Sequence, residues 1–213
     1  MGMPIRVPLI VARGKKDGKV LGLTAAVHGN ELNGIPVIQR IFKEINVQEL
    51  KGSIVGIPVI NVPALLRKKR RFIDGTDLNH IMPGKPDGTV SEVYAWRIVN
   101  RIVKEFDLLI DLHTASTGRV NSYYIRADME DETVQKMARL QYPQIIVHNP
   151  PSDRTLRGTA GEMGIPAINL MQITGHSTEK QFMGYINIDK KQNAINIAQN
   201  LARIMREGQK ATS

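Results

Sequence analysis

The sequence predicts an α/β domain in which a mixed, largely parallel sheet carries helices on both faces. Short apolar runs, rich in Val and Ile and bounded by turn residues, are typical of buried strands. Between them lie segments with the 3.6-residue periodicity of amphipathic helices. Because the two kinds of segment alternate along the chain, parallel strand pairing through crossover helices is favoured.

The elements follow in a simple order. The predicted strands are Val7–Ala12, Val20–Val27, Ser53–Ile60, Leu108–Leu112, Ser122–Ile125, Ile145–Val147 and Ala167–Met171. The predicted helices are Leu32–Glu44, Ser91–Glu105, Asp131–Leu140, the short Thr159–Met163 and Gln192–Arg206. The longest irregular stretch, Asn61–Thr89, is dense in Pro, Gly and charge, and loops of that length are often functional.

Composition excludes several classes of protein. The 213 residues, with 42% hydrophobic and 23% charged, suit one globular domain. No apolar run is long enough for a membrane span, and the N-terminus lacks the pattern of a signal peptide. The chain has no cysteine, which excludes disulfides and thiolate zinc sites and agrees with a cytoplasmic protein.

The chain is basic, with a formal net charge of +9. The densest cationic run is Arg67–Arg71. Aromatic residues make up only 5% and do not alternate with the basic ones, so nucleic-acid binding is not expected. The excess charge is assigned to solvated surface and to attraction of anionic small molecules.

A zinc site is predicted from two separated pieces of sequence. His28 and Glu31 follow the apolar run Leu23–Val27, and His113 ends another buried run just after Asp111. Ligands collect at the carboxyl ends of strands in open α/β sheets, and imidazole with carboxylate suits Zn²⁺. Asp111 could orient one of the ligands. The alternative is that His28 is a loop histidine and His113 a hydrogen-bonded core histidine.

Six short motifs occur in an order that resembles the succinylglutamate desuccinylase/aspartoacylase family, which is related to the M14 zinc carboxypeptidases. They are His28–Glu31, Asn61–Ala64, Arg71–Phe72, Asp77–Asn79, Pro83–Gly84 and Asp111–Thr114. The resemblance covers roughly residues 20–175 and is specific because the motifs keep their order.

The resemblance implies a carboxypeptidase-like fold and a function. One Zn²⁺ per chain would be held by His28, Glu31 and His113, and the reaction would be hydrolysis of the amide bond of a small N-acyl amino acid or similar N-acyl amine. Arg71 would polarise the scissile carbonyl and stabilise the oxyanion, a role suited to a permanently charged guanidinium. Asn79 would help to hold the carboxylate of the substrate.

One departure concerns the substrate. Where the family has Arg after the Asp-Leu-Asn motif, this chain has His80. Histidine offers a carboxylate fewer hydrogen bonds and is only partly charged near neutrality. Asn79 and His80 are therefore the predicted substrate-binding pair, with the alternatives that His80 binds a different substrate group or none.

A second departure concerns the general base. The family carries a Glu after Gly-Ile-Pro-Ala, but here Met171 stands at that position without gaps, and Gln172 does with one inserted residue. Gln172 is the expected occupant of the catalytic position, and it cannot take up a proton at ordinary pH. General acid–base help of about 10²–10⁴-fold would then be lost. The alternative function is a zinc- or ligand-binding relative without catalysis.

Other polar residues are weaker candidates. Glu162 and His176 could replace the base, and Arg157 and His148 could contact substrate, but a surface role is expected for each.

The domain organisation is predicted as one catalytic-type domain over residues 1–213. The smaller β domain that follows in longer family members is expected to be absent. The cleft would then be more open, and a second subunit of a homo-oligomer could cover it.

Overall fold

The computed structural model describes residues 5–115 and 122–172, which contain seven strands. They are β1 (Ile10–Arg13), β2 (Lys16–Ala25), β3 (Lys51–Ile57), β4 (Leu108–Thr114), β5 (Tyr124–Ala127), β6 (Ile145–His148) and β7 (Ala167–Gln172). The strands form one sheet in the order β1-β3-β2-β4-β7-β5-β6. The β3-β2-β4-β7 centre and the β5-β6 pair are parallel, while β1 and β5 pair antiparallel with β3 and β7. The predicted mixed, largely parallel sheet is confirmed.

Five α-helices lie in the described residues. They are α1 (Gly34–Glu44), α2 (Val62–Leu66), α3 (Val90–Arg101), α4 (Glu132–Leu140) and α5 (Leu156–Glu162). Two short 3-10 turns, Leu78–His80 and Val103–Glu105, complete the helical structure there.

Helices cover both faces of the sheet, as predicted. On one face, Ile38 of α1 packs with Leu23 and Leu112, and α4 packs beside it over the same sheet residues Ile110 and Leu170. On the other face, α3 and α5 share a larger core with the sheet. That core includes Ile98, Leu109, Leu156 and Ala160. Burial of these apolar side chains is the main force that holds the layers together.

The largest difference from prediction is in the segment Asn61–Thr89, which is not irregular throughout. Asn61 caps α2 by accepting a hydrogen bond from the Ala64 N–H, and Asp77 caps the following 3-10 turn through Asn79 N–H. These local side-chain bonds satisfy backbone donors that a plain loop would leave to water.

Other differences are small shifts of boundaries. α1 begins two residues later than predicted, and β5 is displaced by two residues toward the C-terminus. The predicted helix Gln192–Arg206 lies outside the described residues, and the single domain and the homo-oligomer stay predictions. Within the ranges described, no helix has the length and apolar character needed to cross a bilayer.

Candidate active site

Three polar side chains meet at the carboxyl end of the sheet, where β2 and β4 run parallel as neighbours. His28 and Glu31 lie in the turn between β2 and α1, and His113 lies in the last part of β4. All three are buried, with 3–5% of their surface exposed. The turn packs closely on α2, because a Cβ on Gly29 would collide with the backbone there. The structure thus brings together the three residues that the sequence singled out as metal ligands.

The donor atoms of the three side chains face one small space. Nδ1 of His28 lies 2.7 Å from Oε1 of Glu31, and Nδ1 of His113 lies 3.0 Å from Oε2. The His28 contact lacks hydrogen-bond geometry, so a buried nitrogen and a buried oxygen lie side by side without bonding each other. One donor atom from each residue falls within 4.8 Å of the other two. Two imidazoles and a carboxylate in this arrangement could hold a metal ion, and they are ligand types that zinc accepts.

A second layer of carboxylates fixes both imidazole rings. Nε2 of His28 lies 3.0 Å from Oδ1 of Asp77, and Nε2 of His113 lies 2.7 Å from Oδ2 of Asp111. A histidine that ligates a metal through one nitrogen usually gives the other N–H to such a partner, which sets the tautomer and raises ligand basicity. The expectation that Asp111 lies beside a ligand is confirmed. Asp77 was missed as an orienting group, although it opens the Asp-Leu-Asn motif.

Asp111 is itself held on three sides. Besides His113, it accepts hydrogen bonds from Oγ1 of Thr24 at 2.6 Å and from Nδ2 of Asn169 at 3.0 Å. Its side chain is completely buried. A buried charge is tolerated when it is paired and hydrogen-bonded, so this network accounts for Asp111 in the sheet interior.

The site is built to hold positive charge. Burial raises the pKa of Glu31, but its hydrogen bond with His113 and the close contact with His28 outweigh burial and hold that pKa well below its usual value. Burial lowers the pKa of His113, yet Asp111 and Glu31 raise it to about 10. The pKa of His28 is raised in the same way, because Asp77 and Glu31 outweigh burial. The carboxylates therefore stabilise cations at the two imidazoles, and a bound divalent ion would replace those protons.

Arg70 lines the cavity and contacts the carboxylates of Glu31 and Asp77. Its Nη1 lies 3.0 Å from Oε1 of Glu31, and its Nε lies 3.1 Å from Oδ2 of Asp77. About a third of the side chain (36%) stays exposed, so the guanidinium is fixed at one edge and open at the other.

The structure does not bring Arg71 to the cavity. Arg71 is exposed, and its Nη1 donates to the Gly75 carbonyl oxygen at 3.2 Å. Phe72 next to it is buried against Tyr94, at a ring-centre distance of 4.9 Å. Arg70 contacts the two carboxylates and Phe72 is buried in the core. The Arg71 side chain between them points to solvent. The cavity thus contains the Arg70 guanidinium, where the motif order predicted that of Arg71.

The three candidate metal ligands and Arg70 form one wall of a cavity of about 320 Å³. Among the described residues it is lined by His28, Glu31, Arg70, Asn79, His80, His113, Thr114, Ala115, Tyr124, Arg126, Thr155, Asn169 and Met171. In this lining Glu31 is the single carboxylate, whereas two guanidinium groups are present.

Met171 occupies the wall beside His113. The two residues are register partners on β4 and β7, and side chains of paired residues project from the same face of a sheet. Gln172, the predicted occupant of the catalytic position, pairs with Thr114 at the end of β7. Its side chain lies outside the described part of the structure, so its role stays a prediction.

Asn79 and His80, the predicted substrate-binding pair, both line the cavity. Oδ1 of Asn79 accepts a hydrogen bond from the Leu156 N–H at 2.9 Å, which fixes the amide and ties the 3-10 turn to the start of α5. His80 is exposed at the cavity mouth.

The weaker candidates lie elsewhere. Glu162 and His148 are exposed and do not line the cavity, as expected for surface residues. The surface role expected for Arg157 is wrong, because its side chain is 1% exposed and bonds to Asn149 and Asp153. His176 lies outside the described residues.

Sequence reasoning missed Arg126. It lies on β5 between Ile125 and Ala127, which are buried on the opposite face, while Tyr124 and Arg126 line the cavity. The predicted strand ended at Ile125, two residues before the end of β5 at Ala127. The alternation of polar and apolar residues over Tyr124–Ala127 was the signal that could have found it.

Two curated relatives are deacylases. The chain is 31% identical over 111 residues to the N-alpha-acetyl-L-2,4-diaminobutyric acid deacetylase of Halomonas elongata, covering 52% of this chain and 32% of that protein. It is 27% identical over 170 residues to the succinylglutamate desuccinylase of Pseudomonas paraeruginosa, covering 73% and 51%. The chain thus spans about a third to a half of the length of these relatives.

Solved structures with the same fold include two bacterial proteins. The product-bound ectoine utilization protein EutE (DoeB) of Ruegeria pomeroyi has a TM-score of 0.72 at 23% identity, covering 83% of this chain and 56% of that one. A succinylglutamate desuccinylase from a Silicibacter species has a TM-score of 0.69 at 24% identity, with the same coverage of 83% and 56%. The family described as the succinylglutamate desuccinylase/aspartoacylase catalytic domain matches residues 17–170, and the chain belongs to this family.

Proposed function

We propose that this chain is a zinc-dependent hydrolase that cleaves the amide bond of an N-acyl amino acid or of a similar small N-acyl amine. The observation that carries the proposal is the meeting of His28, Glu31 and His113 in a cavity that also presents the Arg70 guanidinium. Membership of the family, and the amide-cleaving activities named for the two curated relatives, support the reaction class.

The chain's own residues prepare the metal site. One Zn²⁺ per chain would be held by the three ligands, with Asp77 and Asp111 keeping the imidazole rings turned so that both Nδ1 atoms face the ion. When bound, zinc supplies an activated water and polarises the carbonyl of the substrate. Glu31 also accepts the Thr114 N–H at 3.1 Å, which holds its carboxylate in place.

Arg70 is the residue we assign to the developing oxyanion. Two of its N–H donors are occupied by Glu31 and Asp77, and the exposed edge leaves the others for a substrate oxygen. A guanidinium held by two carboxylates needs little reorganisation when negative charge forms, which is what makes such a donor effective.

Asn79 and His80 are assigned to substrate positioning. Since Oδ1 of Asn79 accepts from Leu156, its Nδ2 amide hydrogens are the donors available to a substrate carboxylate or carbonyl. His80 at the mouth can contact the part of the substrate that lies farther from the metal site.

A second function is favoured by one observation: apart from the metal ligand Glu31, the described lining contains no carboxylate that could move a proton. Met171 stands beside His113 instead. Without a base the chain would be a zinc- or ligand-binding relative that retains the cavity but does not turn over substrate, or turns it over slowly.

Metal content and hydrolysis separate the two functions. The proposed hydrolase binds one zinc per chain and releases amine from N-acetyl- and N-succinyl-amino acids, and a chelator abolishes the release. Metal analysis of the purified protein and a fluorogenic amine assay over the panel measure both. His113→Ala should lose zinc and activity together, whereas His148→Ala at the exposed β6 edge should lose neither.

If zinc is stoichiometric but no member of the panel is cleaved, the hydrolase is refuted and the binding function is retained. Absence of zinc from a protein with all three ligands intact would refute the zinc hydrolase and the zinc-binding relative, and would leave a ligand-binding relative.

A further inference from the structure

The second guanidinium of the cavity, that of Arg126, lies across the sheet from the metal site. The register joins Asp111 on β4, Asn169 on β7 and Arg126 on β5 into one row of paired residues. The next row joins His113, Met171 and Tyr124 in the same way. Paired residues project from the same face, so Arg126 stands two strand spacings, about 10 Å, from the strand that carries His113.

Arg126 contacts an aromatic ring but, within the described part of the chain, no carboxylate. Its side chain is exposed, and its guanidinium carbon lies 5.9 Å from the centre of the Tyr124 ring, within the range of a cation–π contact. Within residues 5–115 and 122–172, Arg126 forms no salt bridge with an acidic residue. Arg70 differs, because Glu31 and Asp77 already balance its charge. Of the two guanidinium groups in the described lining, Arg126 is therefore the one whose charge no described carboxylate balances, and it would attract an anionic ligand.

The surroundings reinforce this preference. The run that supplies Arg70 also exposes Arg67, Lys68 and Lys69 to solvent. Glu31 is the single carboxylate of the described lining, and it faces the metal ligands. Across from the metal ligands, the described lining thus presents the positive charge of Arg126, and cationic clefts concentrate anionic ligands.

We infer that Arg126 is a specificity-determining residue that binds the carboxylate of an N-acyl amino acid substrate. The inference rests on the proposed function in taking the cavity as the substrate site. With the acyl carbonyl at Arg70 and the metal ligands, a carboxylate a few bonds away would reach toward β5. There the planar guanidinium can bind it with two parallel hydrogen bonds, which His80 cannot offer.

Matched ligands test the inference. The zinc-loaded full chain is titrated by calorimetry with N-acetyl-L-amino acids and with the N-acetyl amines that lack only the α-carboxylate. Wild type should bind the carboxylate members more tightly. Arg126→Gln should weaken that binding by about 10- to 100-fold, the range for a charge-assisted contact, and leave the amines unchanged. Arg126→Lys should fall between, because ammonium keeps the charge but not the fork.

Arg139→Gln on α4 is the matched control, since it removes the same charge from an exposed site outside this cavity. Equal zinc content and melting temperature in all variants exclude a folding effect. The inference is overturned if Arg126→Gln keeps the wild-type preference, or if wild type shows none. Hydrolysis of the same panel is measured separately. If carboxylate binding depends on Arg126 but no substrate is hydrolysed, the proposed enzyme is refuted and the role of Arg126 is retained. If substrates are hydrolysed and Arg126→Gln does not change their hydrolysis, the role of Arg126 is refuted and the proposed enzyme is retained.

Discussion

At the scale of single residues, Asp77 links the two chemical parts of the site. One of its oxygens meets Nε2 of His28 and the other accepts Nε of Arg70. Burial raises the pKa of Asp77, but His28 and Arg70 lower it by more than burial raises it. The carboxylate therefore stays ionised at neutral pH. The proposed metal ligand His28 and the proposed oxyanion donor Arg70 therefore both contact the same carboxylate.

Asp77→Asn should weaken zinc binding by about 10–100-fold, because the amide removes the charge that orients His28 and raises its basicity. Competition with a chromophoric chelator measures the affinity. Asp87→Asn, at an exposed position in the same segment, is the control and should bind zinc like wild type. Equal zinc affinities for the two variants would contradict the role given to Asp77.

Met171 is the second residue with a testable consequence. Because it lines the cavity beside His113, Met171→Glu would introduce a carboxylate where the described lining lacks a base. We expect hydrolysis of the best N-acyl substrate to rise by about 10²–10⁴-fold, with a new acidic limb in the pH–rate profile. The rate constants of zinc-loaded variants measure this.

Met171→Gln controls for polarity, and Gln172→Glu tests the neighbouring position. A gain in Gln172→Glu alone would place the base position at residue 172. No gain in either variant with zinc still bound would favour the non-catalytic function.

At the scale of elements, α3 illustrates how a local motif stabilises the layer opposite α1. Thr89 and Glu92 form a capping box, in which the Thr89 hydroxyl accepts from the Glu92 N–H and the Glu92 carboxylate accepts from the Thr89 N–H. The capping box thus gives the backbone N–H groups of Thr89 and Glu92 hydrogen-bond partners at the start of the helix. The helix then buries Ala95, Ile98 and Val99.

Thr89→Ala should lower the free energy of unfolding by about 1 kcal/mol, the usual loss for an N-cap hydroxyl. Urea denaturation measures the change, and zinc content should stay the same because α3 contributes no residue to the cavity lining described above. Thr133→Ala, an exposed threonine inside α4, removes the same atoms without a cap. If both variants unfold alike, the capping box does not stabilise α3.

At the scale of the whole molecule, binding of the proposed metal would be coupled to folding, because the three candidate ligands come from separate parts of the chain. His28 and Glu31 follow β2, His113 belongs to β4, and Asp77 lies in the segment after α2. An ion bound by the folded state alone stabilises the entire arrangement by mass action.

This coupling has a definite pH dependence. In the metal-free chain the pKa of His113 is raised from 6.5 to about 10, so the stability it contributes is complete below about pH 6.5 and is lost as the pH rises to about 10. The melting temperature of the metal-free chain should therefore fall between pH 7 and 10 more than that of the zinc-loaded chain, in which His113 is neutral. Thermal melts with chelator and with zinc measure the difference. His148→Ala should keep it, and parallel curves for the two states would contradict the coupling.

Much of the fold and the three candidate ligands followed from sequence because their signals are local. Apolar runs marked the strands within a few residues, helical periodicity marked α1, α3 and α4, and the His-x-x-Glu pair marked the end of β2. The less regular segment from Asn61 to Thr89 carries no periodicity, so its capped turns at Asn61 and Asp77 were not predicted.

The sequence by itself determined the α/β class, the family and the candidate metal ligands, because periodicity and the order of short motifs are properties of the chain. The tertiary structure alone decided that Arg70 faces the cavity and Arg71 solvent, and that Asp77 orients His28. It also brought Arg126 to the wall across from His113. The physical reason is that each of these outcomes depends on the path of an irregular segment or the exact end of a strand. A shift of one residue there turns a side chain from the cavity to the opposite side.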